Sequence, residues 1–389
     1  MAPSHALRCC KRVINWVPAV FINLVVGWSY YAYVVELCVY TITSNAERIC
    51  YLIIFHIALF LFIWAYWKTI WSKPASPSKA FVLPRAEKEL YEQEERAQVQ
   101  QEILKKVAKN LPIYTRTAGG AVRYCDICQV IKPDRCHHCS TCEMCVLKMD
   151  HHCPWVNNCV GFSNYKYFVL FLAYASLYCL VICATVVQYF IKFWTEPNTH
   201  AKFHILFLFF VAALFFISVV SLLSYHLWLV GKNRTTIEAF RAPVFANGPD
   251  KNGFSLGFSR NVAEVFGDQA KHWFFPVFSA LGDGHSFVTR LVHIDPEQAN
   301  SDTFPSPAAS SRSRVNPCSV GGGRSQKHPQ ATYDALYKQR RRRSRPPLSF
   351  HAPGRASNQL FLLRRAVHPS SLPCHIDRGC TAGVQTAPV

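Results

Sequence analysis

The chain has 389 residues, of which 50% are hydrophobic and 17% are charged, against about 25% charged in typical soluble domains. Four runs contain no Asp, Glu, Lys or Arg: 13–35, 49–67, 167–191 and 203–230. Because a helix of about 20 apolar residues crosses a bilayer, this composition excludes simple soluble, collagen-like and wholly disordered proteins. It predicts an all-α polytopic membrane protein with four transmembrane helices.

The apolar runs divide the chain into segments whose boundaries we predict from charge and composition. A charge-rich connection separates the second run from the third, and the chain ends in a basic stretch rich in Ser, Pro, Gly and Arg. The predicted segments are an N-terminal segment at 1–12, transmembrane helices at 13–35, 49–70, 167–191 and 203–230, a linker with a helix at 72–122, a cysteine-rich domain at 123–166, a C-terminal region at 231–299 and a basic disordered tail at 300–389.

The orientation in the membrane is predicted from the Lys and Arg residues beside the helices. The connection at 72–166 carries fourteen of them, whereas the loop between the first two helices has only Arg48. We therefore expect both chain termini and this connection to be cytosolic. The net charge of +19 is uneven, since 300–389 holds fourteen Lys and Arg against three Asp, a surplus of +11. We interpret that tail as a solvated segment and expect no nucleic-acid partner.

The first part of the central connection is rich in charge, and its apolar residues recur at roughly helical spacing. These residues are Leu90, Val99, Ile103, Leu104 and Val107. The pattern predicts one surface helix between Arg85 and Asn110, with no chemistry of its own.

The second part of the connection holds eight of the seventeen cysteines, together with four histidines. In chain order they are Cys125, Cys128, Cys136, His137, His138, Cys139, Cys142, Cys145, His151, His152, Cys153 and Cys159. Clustered cysteines form disulfides in an oxidising compartment, but a cytosolic loop keeps thiols reduced, and Cys-x-x-Cys spacing is typical of metal ligands. Thiolate and imidazole together select zinc, which structural sites hold with four tetrahedral ligands.

The number of potential ligands exceeds what two zinc ions need. Two Cys3His sites use six cysteines and two histidines, so two of each are left over, and spacing alone does not say which. A surplus cysteine beside an aspartate and a histidine has the composition of an activated nucleophile, as in the run Asp150-His151-His152-Cys153. On composition alone, Cys153 is equally well explained as one more ligand of a structural zinc finger.

The motifs of this chain resemble the DHHC family of protein S-acyltransferases, the palmitoyltransferases. The similarity extends to about residue 299 and includes Asp150-His151-His152-Cys153, Asn157-Asn158-Cys159-Val160-Gly161 and the T-T-x-E motif at Thr235-Thr236-Ile237-Glu238. The opening residues and Trp28-Ser29-Tyr30-Tyr31 are similar to one vertebrate branch of the family. The family's D-P-G motif after the second helix is not evident in the sequence, and the tail after residue 300 has no counterpart in the resemblance.

The resemblance implies an assignment of the ligands. It places one structural Zn²⁺ on Cys125, Cys128, His138 and Cys145, and a second on Cys139, Cys142, His152 and Cys159. It makes Cys153 the nucleophile, His151 the general base and Asp150 the residue that orients the imidazole. Cys136 and His137 are left without a chemical role.

The activity that the resemblance implies is S-acylation in two steps. Palmitoyl-CoA acylates Cys153, and the acyl group then passes to cysteines of membrane-associated protein substrates. Few residues separate Cys153 from the third helix, so the nucleophile should lie at the cytosolic face of the lipid bilayer, near juxtamembrane cysteines of substrates. The expected location is the Golgi, the endoplasmic reticulum or the plasma membrane.

Further residues are expected to contact the acyl-CoA. In the family the acyl chain lies between the transmembrane helices, and Ser29 and Tyr178 both lie deep within their predicted helices. Their hydroxyls need partners there, and would either pair and close the cavity or bond carbonyls of their own helices. Trp155 is a further candidate for the acyl chain. Lys132 and Arg135, beside the zinc ligands, are candidates for the CoA phosphates.

Two other classes of protein compete with this interpretation. A membrane-anchored zinc scaffold would bind the same two ions, but it would not need the surplus set of Asp150, His151 and Cys153. A channel or transporter is expected to carry paired charges within its helices, and the four charge-free runs hold none.

Overall fold

The computed structural model describes residue 10, residues 12–195 and residues 203–290. Within that part of the chain, four helices are long and apolar enough to cross a membrane: Arg12–Val39, Asn45–Trp71, Tyr165–Lys192 and Phe203–Lys232. The prediction of four transmembrane helices with a cysteine-rich domain between the second and the third is therefore confirmed. The tail predicted at 300–389 lies outside the described residues.

The first membrane helix extends beyond its predicted end at residue 35. Helix α1, Val17–Tyr30, continues without a break as a π-helix over Tyr31–Val39. The prediction stopped before Glu36 because a carboxylate is costly in lipid. In the structure the Glu36 carboxylate accepts a hydrogen bond of 2.6 Å from the Tyr31 hydroxyl, which satisfies it locally.

The second membrane helix, α2, spans Asn45–Trp71 and begins four residues before its predicted start at 49. The Ser44 side chain caps its N-terminus by accepting from the Glu47 amide, and Glu47 lies in the first turn, where the helix dipole favours a negative charge. Arg48 is accommodated because its guanidinium donates to the Ile42 carbonyl at 2.6 Å. These terminal contacts allow charged residues to be part of a membrane helix.

The prediction of a single linker helix between Arg85 and Asn110 is wrong, because the structure has two helices there. Helix α3 spans Arg85–Gln93 and helix α4 spans Ala97–Ala108. Between them the Glu94 carboxylate accepts from the backbone amide and the guanidinium of Arg96, a local pairing that competes with helical hydrogen bonds. The Gln100 side chain then donates to the free carbonyls of Tyr91 and Glu94, which closes the end of α3.

The cysteine-rich segment folds as three antiparallel hairpins with very short strands. They pair β1 (Tyr124–Cys125) with β2 (Val130–Ile131), β3 (His137–Cys139) with β4 (Met144–Val146), and β5 (His151–Cys153) with β6 (Asn158–Val160). In the second hairpin His138 faces Cys145, and in the third His152 faces Cys159. The same register thus recurs in the two hairpins.

Two long helices follow the hairpins and complete the membrane part. Helix α5 spans Tyr165–Thr195 and packs against α2 and against α6, Phe203–Lys232. The C-terminal region then contains α7 (Thr236–Phe240), the short strands β7 (Val244–Phe245) and β8 (Gly248–Pro249), and α8 (Phe258–Phe266). Cys153 belongs to the same buried cluster as the facing side chains of the membrane helices, so the third hairpin lies directly against the helix bundle.

A single side chain attaches the third hairpin to the end of α2. The amide nitrogen of Asn158 lies 3.0 Å from the carbonyl oxygens of Thr69 and Ile70 and 2.9 Å from that of Ser72. Helices leave their last carbonyls without intrahelical partners, so this amide satisfies groups that would otherwise be buried and unpaired. Since Asn158 faces Cys153 across the hairpin, the contact also fixes the height of Cys153 relative to α2.

Candidate active site and metal centres

The first cluster of metal-ligand side chains consists of Cys125, Cys128, His138 and Cys145. The Nδ1 atom of His138 lies 3.6 Å, 3.3 Å and 4.0 Å from the three sulfur atoms, in that order. The ligands come from the first two hairpins, so one ion at this point would hold the two hairpins together.

The second cluster consists of Cys139, Cys142, His152 and Cys159. The Nδ1 atom of His152 lies 3.8 Å, 3.4 Å and 3.6 Å from the three sulfur atoms, in that order. Here the ligands come from the second and third hairpins. The two ligand sets interleave along the chain, because Cys139 and Cys142 of the second set precede Cys145 of the first.

The size of both clusters fits a tetrahedral zinc ion. Zinc–sulfur bonds of about 2.3 Å and zinc–nitrogen bonds of about 2.0–2.1 Å place sulfur and nitrogen about 3.6 Å apart at tetrahedral angles. The observed separations of 3.3–4.0 Å lie on both sides of that value. The donor set of three thiolates and one imidazole selects zinc over harder cations. The chain therefore has two Cys3His sites for structural zinc.

The two zinc sites are copies of one spacing pattern. Every ligand of the second set lies 14 residues after its counterpart in the first, as Cys125 and Cys139 or Cys145 and Cys159 illustrate. This 14-residue period is readable in the sequence, although the ligands above were assigned from the family resemblance. It would have divided the ligands into two equivalent sets without any resemblance to known proteins.

The same period explains why Cys153 belongs to neither set. Cys153 lies 14 residues after Cys139 and so occupies the first-ligand position of a third unit, but residue 156, where the second cysteine would fall, is Val156. The third unit therefore cannot be completed. Cys153 is 5% exposed and is bonded to no other sulfur.

Asp150 and His151 lie beside this sulfur as a hydrogen-bonded pair. The Nδ1 atom of His151 lies 2.6 Å from the Oδ2 atom of Asp150, so the other ring nitrogen, Nε2, is left free of this hydrogen bond. The backbone amide and the hydroxyl of Thr236 donate to the two Asp150 oxygens at 2.9 Å and 2.8 Å. Asp150 is thus buried with both of its oxygens satisfied.

The protonation of this pair follows from its surroundings. Burial alone would raise the pKa of Asp150, but the hydrogen bond and charge of His151 outweigh it, and the pKa lies below its usual range. Burial would lower the pKa of His151, but the hydrogen bonds and charges of Asp150 and Cys153 raise that pKa to about 9. At neutral pH the imidazole of His151 therefore holds a proton.

The Thr235-Thr236-Ile237-Glu238 motif connects the Asp150–His151 pair to the C-terminal region. Thr235 caps α7 by accepting from the Glu238 amide, and the Glu238 carboxylate accepts from the Thr235 amide. The same carboxylate binds the Arg135 guanidinium through two contacts of 2.7 Å. The T-x-x-E spacing of a capping box was available in the sequence, but its long-range partners were not.

The surroundings of Arg135 argue against the expectation that it binds a CoA phosphate. Its guanidinium also donates to the side chain and the carbonyl of Asn233, and its Cζ atom lies 4.7 Å from the ring centroid of Phe254. The Arg135 side chain is 0% exposed, and its charge is neutralised by Glu238. Proximity to zinc ligands in the sequence did not reveal that the side chain points into the protein.

Lys132 lines a cleft of about 640 Å³ between the cysteine-rich segment and the C-terminal region, and the Arg135–Glu238 pair borders the same cleft. Arg116, Arg123, Arg241 and His137 line the same cleft. Burial, followed by the positive charges of Arg123, Lys132 and Arg241, lowers the pKa of His137 to about 3. The cleft is thus a cationic surface formed from several segments. Because these segments are separated in the chain, the surface could not be predicted from residues adjacent in the sequence.

The hydroxyls of Ser29 and Tyr178 pair with each other, one of the two arrangements expected from the sequence, with 2.9 Å between their oxygen atoms. Ser29 also lies 2.8 Å from the Val26 carbonyl, so it makes both kinds of contact that were weighed. Trp155 is 49% exposed, and its carbonyl accepts a hydrogen bond of 3.0 Å from the Tyr66 hydroxyl in α2. Trp155 thus joins the turn after Cys153 to the helix bundle.

Comparison with known proteins agrees with this geometry. The family model for the DHHC palmitoyltransferase matches residues 120–243, which contain both metal clusters and the Asp150–His151 pair. The chain belongs to the DHHC palmitoyltransferase family and is a protein S-palmitoyltransferase, an enzyme that uses palmitoyl-CoA as acyl donor.

Individual relatives place the chain more narrowly within the family. Palmitoyltransferase ZDHHC20-A of Danio rerio is 72% identical over 302 residues, which cover 77% of this chain and 85% of the relative. Palmitoyltransferase ZDHHC20 of Homo sapiens is 63% identical over 77% of this chain and 84% of the relative, and Palmitoyltransferase ZDHHC2 of Homo sapiens is 61% identical over 77% and 83%. The branch that the opening residues resemble, vertebrate member twenty, is among these relatives.

Removal of one zinc ligand should cost metal and stability together. We expect Cys125→Ser to lower the bound zinc from about two ions per chain to about one and to lower the unfolding temperature, because structural zinc contributes folding free energy directly. Zinc content by atomic emission and thermal unfolding in detergent measure both effects. The matched control is Cys136→Ala, a buried cysteine outside both sets, which should keep both ions. Full zinc in Cys125→Ser would contradict the assigned ligand set.

Removal of the buried carboxylate of Glu238 should destabilise the packing of the C-terminal region on the cysteine-rich segment. Glu238→Gln leaves the Arg135 guanidinium buried without its counter-charge, which costs about 3–5 kcal/mol. The matched control is Glu89→Gln, which removes an exposed partner of Arg85 at 2.9 Å and should cost at most about 1 kcal/mol. Unfolding temperatures of both variants give the comparison, and equal values would refute the stabilising role of the buried pair.

Proposed function

We propose that Cys153 is the nucleophile of the acyltransferase. Its thiolate attacks the carbonyl carbon of the palmitoyl-CoA thioester, a new carbon–sulfur bond forms, and the bond to the CoA sulfur breaks. The CoA thiolate leaves and takes up the proton held on His151. The observation that supports this proposal is that Cys153 follows the hydrogen-bonded pair of Asp150 and His151 in the chain and belongs to neither metal cluster.

His151 acts as the general base and acid in both steps of this proposal. It holds the proton of Cys153 during the first attack, and in the second step it takes the proton of the substrate thiol that attacks the acyl-enzyme. Asp150 keeps the proton of the imidazole on Nδ1 and stabilises the imidazolium. Thr236 supports this role by occupying the remaining hydrogen-bonding capacity of Asp150.

The two zinc ions have a structural role in this mechanism. Each of the two Cys3His sets already provides the four ligands of a closed tetrahedral site. The coordinating residues hold β5 in place. His152, which directly precedes Cys153, and Cys159, which lies across the hairpin, belong to the same cluster. The proposed nucleophile is therefore held between two ligands of one site.

The acyl chain is proposed to lie among the membrane helices next to Cys153. The cluster that contains Cys153 is formed mostly by apolar side chains of those helices, which suits an acyl chain attached to that sulfur. The Ser29–Tyr178 pair lies within this part of the bundle and would limit the length of the chain, and Trp155 would cover it near the thioester.

The CoA phosphates are proposed to bind in the cationic cleft that contains Lys132. Arg116, Arg123 and Arg241 provide additional guanidinium groups there, and Arg is well suited to bind phosphate oxygens in pairs. These residues replace Arg135, whose charge is neutralised by Glu238.

The protein substrates are proposed to present cysteines close to the membrane on the cytosolic side, where we also place both chain termini. The position of Cys153 against the ends of the membrane helices supports this, because a substrate cysteine must reach that sulfur. The excess of Lys and Arg in the connection supports the cytosolic orientation. The Golgi, the endoplasmic reticulum and the plasma membrane are the proposed locations.

Substitution of the nucleophile should abolish the chemistry without unfolding the protein. Cys153→Ser is expected to form no hydroxylamine-sensitive acyl-enzyme with labelled palmitoyl-CoA and to transfer no label to a substrate protein, while both zinc ions remain bound. His151→Ala should be equally inactive and keep its zinc, because His151 is not a ligand. Undiminished hydroxylamine-sensitive labelling of Cys153→Ser would disprove the assignment.

Substitutions at the Ser29–Tyr178 pair should change the preferred length of the acyl chain. Ser29→Phe should shorten the space and favour myristoyl-CoA, whereas Tyr178→Ala should lengthen it and favour stearoyl-CoA. Each buried methylene contributes about 0.8 kcal/mol, so two carbons correspond to roughly tenfold in preference. Competition among the three acyl-CoA species measures this, and unchanged profiles in both folded variants would remove the pair from the site.

A further inference from the structure

His226 is a buried histidine that the mechanism above does not use. It lies in α6, is 2% exposed, and is surrounded by side chains from the helix bundle and from the cysteine-rich segment. A buried imidazole has two nitrogen atoms that need partners, so its presence in a membrane helix calls for a specific reason.

The first contact of His226 is with the beginning of α5. The Nδ1 atom of His226 lies 3.2 Å from the hydroxyl oxygen of Tyr165, the first residue of that helix. Phe168, one turn later on the same face of α5, contacts the imidazole edge-on at 5.0 Å between ring centroids. Two residues of α5 therefore fix the plane of the His226 ring.

The second contact of His226 is with the proposed catalytic pair. The ring centroids of His226 and His151 are 5.8 Å apart, and one ligand-type atom from each of Asp150, His151 and His226 lies within 4.8 Å of the others. Phe168 also contacts His151, at 5.1 Å and nearly perpendicular. The ring of His151 is thus bordered by His226 and Phe168 on its buried sides, whereas 28% of its side chain is exposed.

These contacts complement the hydrogen bond from Asp150. One hydrogen bond at Nδ1 selects the tautomer of His151 but leaves the ring free to rock about that bond, which would swing the opposite nitrogen away from Cys153. A second polar ring of fixed orientation next to the imidazole removes this freedom. Small errors in the position of a reacting group are costly, since a displacement of about 1 Å lowers the rate roughly 100-fold.

We propose that His226, held by Tyr165, is a positioning residue that keeps the His151 imidazole in the orientation that serves Cys153. This inference rests on the role of His151 proposed above, and it adds a polar pair from two membrane helices to the support of the active site. His226 acts through His151 and does not touch the reacting atoms.

The experiment compares single-turnover acylation of purified full-length variants by labelled palmitoyl-CoA. His226→Leu, which keeps the bulk but removes the polar atoms, should lower the maximal rate of acyl-enzyme formation at least roughly tenfold without changing the half-saturating concentration of palmitoyl-CoA. His226→Asn keeps a polar atom near the position of Nδ1 and should recover most of the rate. Tyr165→Phe should lower the rate, and the double variant with His226→Leu should be no slower than His226→Leu alone, because both residues act as one unit.

The control is His56→Leu, which removes an exposed histidine of α2 that bonds the Leu52 carbonyl of its own helix. It should acylate at the normal rate. A normal maximal rate in His226→Leu, a changed half-saturating concentration, lost zinc, or a failure of His226→Asn to recover more than His226→Leu would each overturn the positioning role. Activity of His151→Ala would refute the proposed base itself, so the two failures are distinguishable.

Discussion

Tetrahedral coordination by two interleaved sets of ligands is the constraint on which the cysteine-rich segment depends. The strands of the three hairpins have two or three residues each, too few for an isolated hairpin to be stable in water. The ions supply what a hydrophobic core cannot, because metal binding contributes directly to the free energy of folding. Since each ion joins two successive hairpins, the position of β5 is determined by Cys139 and Cys142 in the preceding unit.

Connection of this metal-bound part to the C-terminal region depends on two neighbouring threonines with different tasks. Thr235 caps α7, whereas Thr236 turns toward Asp150 and fills its remaining hydrogen-bonding capacity. Glu238 then combines a backbone contact within the cap with the ion pair to Arg135. A motif of four residues thereby joins the C-terminal region to two points of the cysteine-rich segment, which lie 86 and 103 residues earlier in the chain.

The sequence was sufficient where short-range rules decide the structure. Charge-free runs predicted the membrane helices, and Cys-x-x-Cys spacing predicted zinc binding, both of which were confirmed, whereas the division into two ligand sets came from the family resemblance. The helix ends were less predictable, because Glu36 and Arg48 are satisfied by neighbours whose position depends on the fold. The linker forms two helices for a similar reason, because the Glu94 carboxylate accepts the Arg96 amide hydrogen bond between them.

Contacts between distant segments could not be predicted in the same way. A basic residue beside zinc ligands has no sequence signal that says whether it faces solvent, so Arg135 was assigned to CoA although its partner lies 103 residues away. The pairing of Tyr165 with His226 is likewise invisible in a single sequence, because the two residues belong to different helices. The 14-residue period is the exception, because the sequence alone contains the spacing that divides the ligands into two sets.

The contact of Asn158 with the end of α2 has a consequence for the behaviour of the enzyme in different bilayers. Helix α2 has 27 residues and is about 40 Å long, longer than a hydrocarbon layer of about 30 Å, so it must tilt or extend beyond that layer. Helices adjust to hydrophobic mismatch by tilting, which changes the depth of their ends. Because Asn158 binds the last carbonyls of α2 and faces Cys153, the sulfur of Cys153 follows this end of the helix as the thickness of the membrane changes.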